Sequence, residues 1–378
     1  DFRERAPEAA TPALWQRNAE GRIIGGQNMT GGKAVAVPGE VAGLWHAFHA
    51  YGSGNVTWSD LIQPAIRLAE EGFVVTPTLH HDMAASYDAM VAYPEFGEIF
   101  LNERGLNYGV GEVIQNPDLG RTLRRIAEGG KDAFYMGDMA RAMVESVNKY
   151  GGVFTLEDLA SYEVRVLKPV AGTYRGYRVY SSPLPSSGGT HILQALNILE
   201  NFDIQALGHN ETETLHILSE AFQMAFADRA RYMGDPNYVR VPAKGLLDKA
   251  YAARQAAQIR MDGRLTYAPV DPWAYESEQT THFSIADIDG NVVGVTQTVN
   301  GIFGAKVAPK GCGFVLNNEM GDFSPHPASP NAIAPGKTPL SSMSPTILLK
   351  ADGTPLLVAG SPGSTRIITT LIQIISNV

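Results

Sequence analysis

Four clusters in the C-terminal part of the chain combine residue types that can do chemistry. Thr280-Thr281-His282 opens an alternating segment with hydroxyls and an imidazole. Asn317-Asn318-Glu319-Met320-Gly321-Asp322-Phe323 gathers amides and carboxylates. Ser341-Ser342-Met343-Ser344-Pro345 precedes an apolar run, and Gly360-Ser361-Pro362-Gly363-Ser364 leads into an apolar-periodic stretch. Hydroxyl, imidazole, carboxylate and glycine-rich backbone are the parts of nucleophilic and acid–base catalysis. Each cluster also has an ordinary structural reading. Thr-Thr is common in strands, Asn-Asn-Glu at strand exits, and Ser-Ser-x-Ser-Pro in loops.

Other chemistries find less support. His46 and His49 share a helix face and His80-His81 are adjacent, but neither pair has the His-Glu-x-x-His pattern or a cysteine partner, so no metal site is expected. Gly360–Ser364 lacks the lysine of a phosphate-gripping loop, and no Gly-x-Ser-x-Gly elbow offers a hydrolase serine. No cofactor is expected. A net charge of −9 and a pI near 5.5 argue against nucleic acid or an anionic membrane as partner. With 44% hydrophobic and 18% charged residues the chain is globular rather than disordered. Cys312 is the only cysteine, which excludes an internal disulfide framework. No apolar run approaches the length of a membrane span.

The elements that must position these clusters follow from periodicity. Helical spacing predicts helices over Glu40–Tyr51, Asp60–Glu71, Leu119–Glu128, Gly137–Lys149, His191–Asn201, Glu211–Tyr232 and Leu246–Ile259. Thr155-Leu156-Glu157-Asp158 reads as a capping box opening a short helix. Gly176–Tyr180 and Phe314–Leu316 read as short strands. Thr281–Asp287, the Asp289-Gly290-Asn291 turn and Val292–Val299 read as a hairpin, and Ser344–Lys350 with Leu356–Ala359 as a second. A last helix follows. Ser324–Pro335 is expected to be an ordered surface loop. Helices first and hairpins later give an α+β class, with helices packed on antiparallel sheet.

Taken together and in order, several motifs resemble the γ-glutamyltransferase family. They are Glu278-Gln279-Thr280-Thr281-His282-Phe283-Ser284, Leu316-Asn317-Asn318-Glu319-Met320, Pro339-Leu340-Ser341-Ser342-Met343-Ser344-Pro345 and Gly360-Ser361-Pro362-Gly363. The opening Asp1-Phe2-Arg3-Glu4-Arg5-Ala6-Pro7 and Pro185-Ser186-Ser187-Gly188-Gly189 resemble that family's large subunit, so the likeness runs from end to end. It implies an N-terminal nucleophile hydrolase fold, an αββα sandwich of two stacked antiparallel sheets between helical layers. It further implies residues 1–279 as a large-subunit portion and 280–378 as a small-subunit portion. Family sequence is expected to be missing at both ends.

The same resemblance assigns roles. The precursor would cut itself at the Gln279–Thr280 bond, leaving Thr280 with a free α-amine. That amine has an ordinary pKa of about 7.7–8.0 and can serve as the base for the hydroxyl on its own residue. Thr298 would orient the nucleophile, and the backbone N–H groups of Gly363 and Ser364 would form the oxyanion hole. Ser364 stands where the family has a second glycine, so its role depends on a backbone conformation that a Cβ tolerates. Arg3 would pair with the substrate's α-carboxylate, helped by Ser341 and Ser342, while Asn300, Glu319 and Asp322 would hold its α-ammonium. His282 is expected to pack rather than catalyse. No tyrosine stands between Phe323 and Ser341, which places the chain in a branch without a lid.

The resemblance therefore implies transfer of a γ-glutamyl group from glutathione-like amides to water, an amino acid or a peptide. The two subunits would form a heterodimer without cofactor, nucleic acid or membrane span. A related acylase is the alternative, acting on cephalosporins or poly-γ-glutamate, and a non-catalytic paralogue is a third reading. Arg3, Glu319, Asp322 and the serine pair favour the first, since they read a free amino-acid head. By the same likeness the expected location is periplasmic or secreted.

Overall fold

The structure is a computed structural model that describes residues 1–264 and 280–378. Glu278, Gln279 and the Gln279–Thr280 bond lie outside the described residues. The chain divides into two compact units, and each draws on residues from both sides of position 280.

The first unit comprises Asp1–Val166, Val299–Gly321 and Ile333–Gly336. Its helices are α1 Glu40–Tyr51, α2 Trp58–Glu71, α3 Pro77–Ala85, α4 Tyr87–Ala92, α5 Pro94–Phe100, α6 Pro117–Gly129, α7 Asp132–Tyr135, α8 Gly137–Lys149 and α9 Leu156–Ala160, with a small pair β1 Phe73–Val74 and β2 Val113–Ile114. Thr155 and Asp158 form the predicted capping box: the Asp158 N–H donates to Thr155 Oγ1 (3.2 Å) and the Thr155 N–H to Asp158 Oδ2 (2.8 Å). Helix α8 buries Met139, Met143 and Val147 against Val35, Val37 and Leu159. Helices α3 and α5 open on proline at the first turn, where the missing N–H costs nothing. The predicted strand Phe314–Leu316 does not form. The Leu316 N–H reaches Val307 O and the Ala305 N–H reaches Leu316 O, but Lys306 between them sits at φ +62°, which breaks the ladder.

The second unit holds the larger sheet. Strands β3 Val170–Tyr174, β4 Tyr177–Ser181, β7 Thr346–Leu349 and β8 Pro355–Ala359 are antiparallel neighbours in the order β3-β4-β7-β8. Arg175 and Gly176, both at positive φ, make the two-residue turn that joins β3 to β4. Helix α10, Gly188–Leu199, is buried along its whole length, packing on β3 and β4 and against α12 Thr212–Tyr232, α14 Lys249–Ala256 and α15 Arg366–Ser376. Ile192, Leu196, Leu348, Ile368 and Ile372 form the heart of this core. The hairpin β5 Thr281–Ala286 and β6 Val292–Gln297 forms as predicted, and Ser284 Oγ donates to Val358 O (3.1 Å) on β8. Helix layer, antiparallel sheet and hairpin make this an α+β fold. The predicted helix Leu246–Ile259 is instead two short helices, α13 Ala243–Leu246 and α14. Asp248 restarts the chain by accepting from the N–H groups of Ala250 (2.8 Å) and Tyr251 (3.0 Å).

One buried titratable group sets an acid limit on this core. His191 on α10 is 1% exposed, with Nδ1 2.8 Å from Gln194 Oε1. Burial pushes its pKa down to about 3; the Gln194 bond opposes that shift and the Arg229 charge adds to it. The ring is therefore neutral in the folded state, whereas the unfolded chain takes up a proton near pH 6.5. Stability is fully present above about pH 6.5 and falls as pH drops towards 3, by up to about 1.4 kcal/mol per pH unit. His191→Gln should flatten the stability profile between about pH 6 and pH 4 in denaturant titrations. An unchanged slope would remove His191 as its source.

Candidate active site

In the second unit the hairpin register pairs Thr281 with Gln297 and His282 with Thr296. Thr280 and Thr298 each stand one residue beyond this last pair, at the open end of the hairpin. His282 is engaged through both ring nitrogens. Its Nδ1 lies 2.8 Å from Thr296 Oγ1 and its Nε2 lies 3.0 Å from Ser284 Oγ. Burial lowers its pKa. The ring also lies flat on the Gly360 backbone, where a Cβ would come within 2.0 Å of Nδ1.

The loop after β8 holds the other half of the proposed acyl-transfer apparatus. Gly363 sits at φ +109° and Ser364 at φ +54°, immediately before α15. The Gly363 and Ser364 carbonyls accept from the Arg366 N–H (2.9 Å) and the Ile367 N–H (3.1 Å). Ser364 thus occupies left-handed backbone, at a cost of roughly 1 kcal/mol relative to glycine.

Ser341 and Ser342 are buried and locked to the Pro185–Gly189 motif. The Ser341 carbonyl accepts from the Ser187 N–H (2.9 Å) and Oγ (2.8 Å), and Ser186 Oγ donates to Met343 O (2.6 Å). A Cβ on Gly188 would meet Ser344 Oγ at 1.8 Å, so only glycine lets α10 begin here. Arg229 reaches in from α12, Nε to Ser187 Oγ (2.8 Å) and Nη2 to Ser342 Oγ (3.1 Å). Asp322 enters the loop ahead of this segment. Asn331 ties that loop shut, donating to Asp322 O (2.7 Å) and accepting from the Leu340 N–H (3.0 Å). Beneath it Lys337, whose pKa is lowered by burial, donates to Pro330 O and Ala332 O (both 2.8 Å). Asp235 accepts from the Thr338 N–H (3.0 Å). The loop is more buried than its proline-rich sequence suggests, with Ser324, Asn331, Ala332 and Ile333 buried.

In the first unit Arg3 and Glu319 form a buried ion pair, Nη1 to Oε2, at 2.5 Å. Tyr162 Oη donates to the Arg3 carbonyl (3.0 Å) and holds the strand from below. Glu319 is placed by its neighbours. Asn317 exchanges both amide bonds with the Ala36 backbone (3.1 and 2.9 Å) and also accepts from the Glu319 N–H (3.0 Å). Asn318 accepts from the Gly301 N–H (2.7 Å) and donates to Met29 O (2.9 Å). Asn300, at φ +71°, donates to Asn318 O (3.2 Å). The Asn-Asn pair is therefore structural, and the carboxylate after it is the group it positions.

Sequence reasoning missed Arg229, Asp235, Asn331 and Lys337. No local pattern marks a lone buried charge on a helix or a loop. Ser187 lay inside a quoted motif without a role.

A strand that opens on a threonine, in a sheet-and-helix α+β core, is the architecture of the N-terminal nucleophile hydrolases. Residues 1–378 match the family model described as gamma-glutamyltranspeptidase. The chain is 41% identical over 390 residues to the glutathione hydrolase proenzyme of Escherichia coli strain K12, covering 100% of this chain and 67% of that protein. The crystal structure of a cephalosporin acylase from Bacillus halodurans superposes with a TM-score of 0.87 at 30% identity, over 100% of this chain and 68% of that one. The Helicobacter pylori gamma-glutamyltranspeptidase gives a TM-score of 0.67 at 39% identity, over 71% of this chain and 75% of that one. The chain spans about two thirds of the length of the curated relatives it matches. It belongs to the gamma-glutamyltranspeptidase family, whose curated members include glutathione hydrolase proenzymes.

The His282–Gly360 contact gives the first test of this site. Gly360→Ala should expel the imidazole and destabilise the protein by about 1–3 kcal/mol. Adding His282→Ala should recover most of that loss, because the clash is then gone. Melting temperatures of the two variants decide it: no recovery in the double variant would contradict the packing role.

Proposed function

We propose that this chain self-cleaves before Thr280 and transfers the γ-glutamyl group of glutathione-like amides to water, an amino acid or a peptide. The reading rests above all on the family match and on Thr280 standing at the head of the Thr281–Ala286 strand, with Thr298 just beyond the end of its partner strand. Thr280 Oγ1 attacks the γ-carbonyl while its own α-amine takes the hydroxyl proton, and Thr298 holds the nucleophile in line. The N–H groups of Gly363 and Ser364 bind the oxyanion, and the proton passes to the leaving amine. The threonine ester then yields to water or to an acceptor amine.

Arg3, Ser341 and Ser342 are assigned to the substrate's α-carboxylate, and Asn300, Glu319 and Asp322 to its α-ammonium. The buried Arg3–Glu319 pair supports this division, since opposite charges already held together suit a zwitterion. The cut portions remain together as a heterodimer, and by family likeness the protein is periplasmic or secreted. A cephalosporin-type acylase is the second reading, favoured by the 0.87 superposition on the Bacillus halodurans enzyme. The complete set of groups for an amino-acid head favours the first.

Thr280→Ala should leave one uncut, inactive chain, because the hydroxyl that attacks the Gln279 carbonyl is gone. Two bands from that variant on a denaturing gel would contradict the assignment. Activity of wild type on a cephalosporin side chain but not on γ-glutamyl-p-nitroanilide would select the second reading.

A further inference from the structure

We propose that Arg229 is a positioning residue that fixes the Ser341–Ser342 pair as hydroxyl donors and thereby selects acyl groups bearing a carboxylate. This rests on the γ-glutamyl reading above. A guanidinium has donors only, so the Arg229 Nη2 bond at 3.1 Å makes Ser342 Oγ the acceptor. Its one proton must then point elsewhere. Ser341 Oγ is in the same position, because it accepts from the Met343 N–H at 3.1 Å. Both hydroxyls thus have an acceptor lone pair committed within the protein while each retains an O–H to give. Two adjacent O–H donors match the two oxygens of a carboxylate.

The second arm of Arg229 secures the backbone under the pair. Nε donates to Ser187 Oγ at 2.8 Å, which leaves the Ser187 hydroxyl to donate to the Ser341 carbonyl, also at 2.8 Å. One guanidinium therefore orients the Ser342 hydroxyl directly and the Ser341 main chain through Ser187. Arg229 is only 7% exposed, so its positive charge acts through little solvent. A hydroxyl that accepts from a buried cation is a stronger donor to an anion. Lysine would keep the charge but not the fork, which needs two donors at fixed angles.

The test compares two substrates on the processed full-length protein: γ-glutamyl-p-nitroanilide and 4-aminobutyryl-p-nitroanilide, which lacks only the α-carboxylate. Wild type should favour the first. Arg229→Gln should raise KM for the γ-glutamyl anilide roughly ten- to hundredfold with kcat little changed. It should leave kcat/KM for the 4-aminobutyryl anilide within about twofold, so that the preference collapses. Arg229→Lys should fall between wild type and Arg229→Gln. Should Arg229→Gln fail to fold or process, Ser187→Ala provides the same readout, with a smaller loss of preference in the same direction. Equal losses on both substrates, or a preference kept within twofold in Arg229→Gln and Ser187→Ala, would overturn the proposal. A wild type indifferent to the carboxylate would instead overturn the γ-glutamyl reading, and this inference with it.

Discussion

The antiparallel register of the Thr281–Ala286 and Val292–Gln297 strands is the constraint on which the rest of the site depends. Side chains alternate with a period of two, so a slip of one residue would turn Thr280, His282 and Ser284 to the opposite face. Three contacts hold the register in place. The Asp287–Asn291 turn closes the hairpin through both side chain and backbone. His282 bridges Thr296 and Ser284. Ser284 then ties the strand to Val358. His282 is thus committed to packing contacts, and the base role in the proposed mechanism falls to the amine of the threonine itself.

The residues proposed to hold the substrate head are organised on a different principle. They lie outside the named strands, Glu319 and Asp322 in a 3-10 turn, and polar side chains take over the task of placing them. Asn317 and Asn318 bond main-chain groups distant in sequence and so present Glu319 to Arg3. Arg229 and Ser187 do the same for the serine pair. Asn331, Lys337 and Asp235 do it for the loop that begins at Asp322. Burying such groups is costly unless each is bonded, so these networks hold one arrangement of loops that hydrophobic packing alone would leave free.

What could be read from the sequence follows from the range of each signal. The Thr155 box, the Gly137–Lys149 helix and both hairpins are local patterns, and they appear where periodicity and turn residues put them. The strand expected at Phe314–Leu316 failed because Lys306, on the neighbouring segment it faces, adopts a left-handed backbone. The helix expected over Leu246–Ile259 forms only as Lys249–Ala256, because Asp248 makes a better cap than a helix interior residue. Thr280, Ser341 and Gly363 were legible because they stand in motifs with a known order. Arg229 and Lys337 were not, since a single basic residue has no pattern and its burial depends on partners brought from elsewhere.

The central claim is that a threonine supplies both nucleophile and base once it heads its own chain. Rapid acid quenching during turnover of γ-glutamyl-p-nitroanilide, followed by peptide mass spectrometry, reads both features at once. The account predicts a peptide that begins at Thr280 and carries a γ-glutamyl ester on that residue's hydroxyl. An active protein whose Gln279–Thr280 bond is intact, or a γ-glutamyl label on any other side chain, would contradict it.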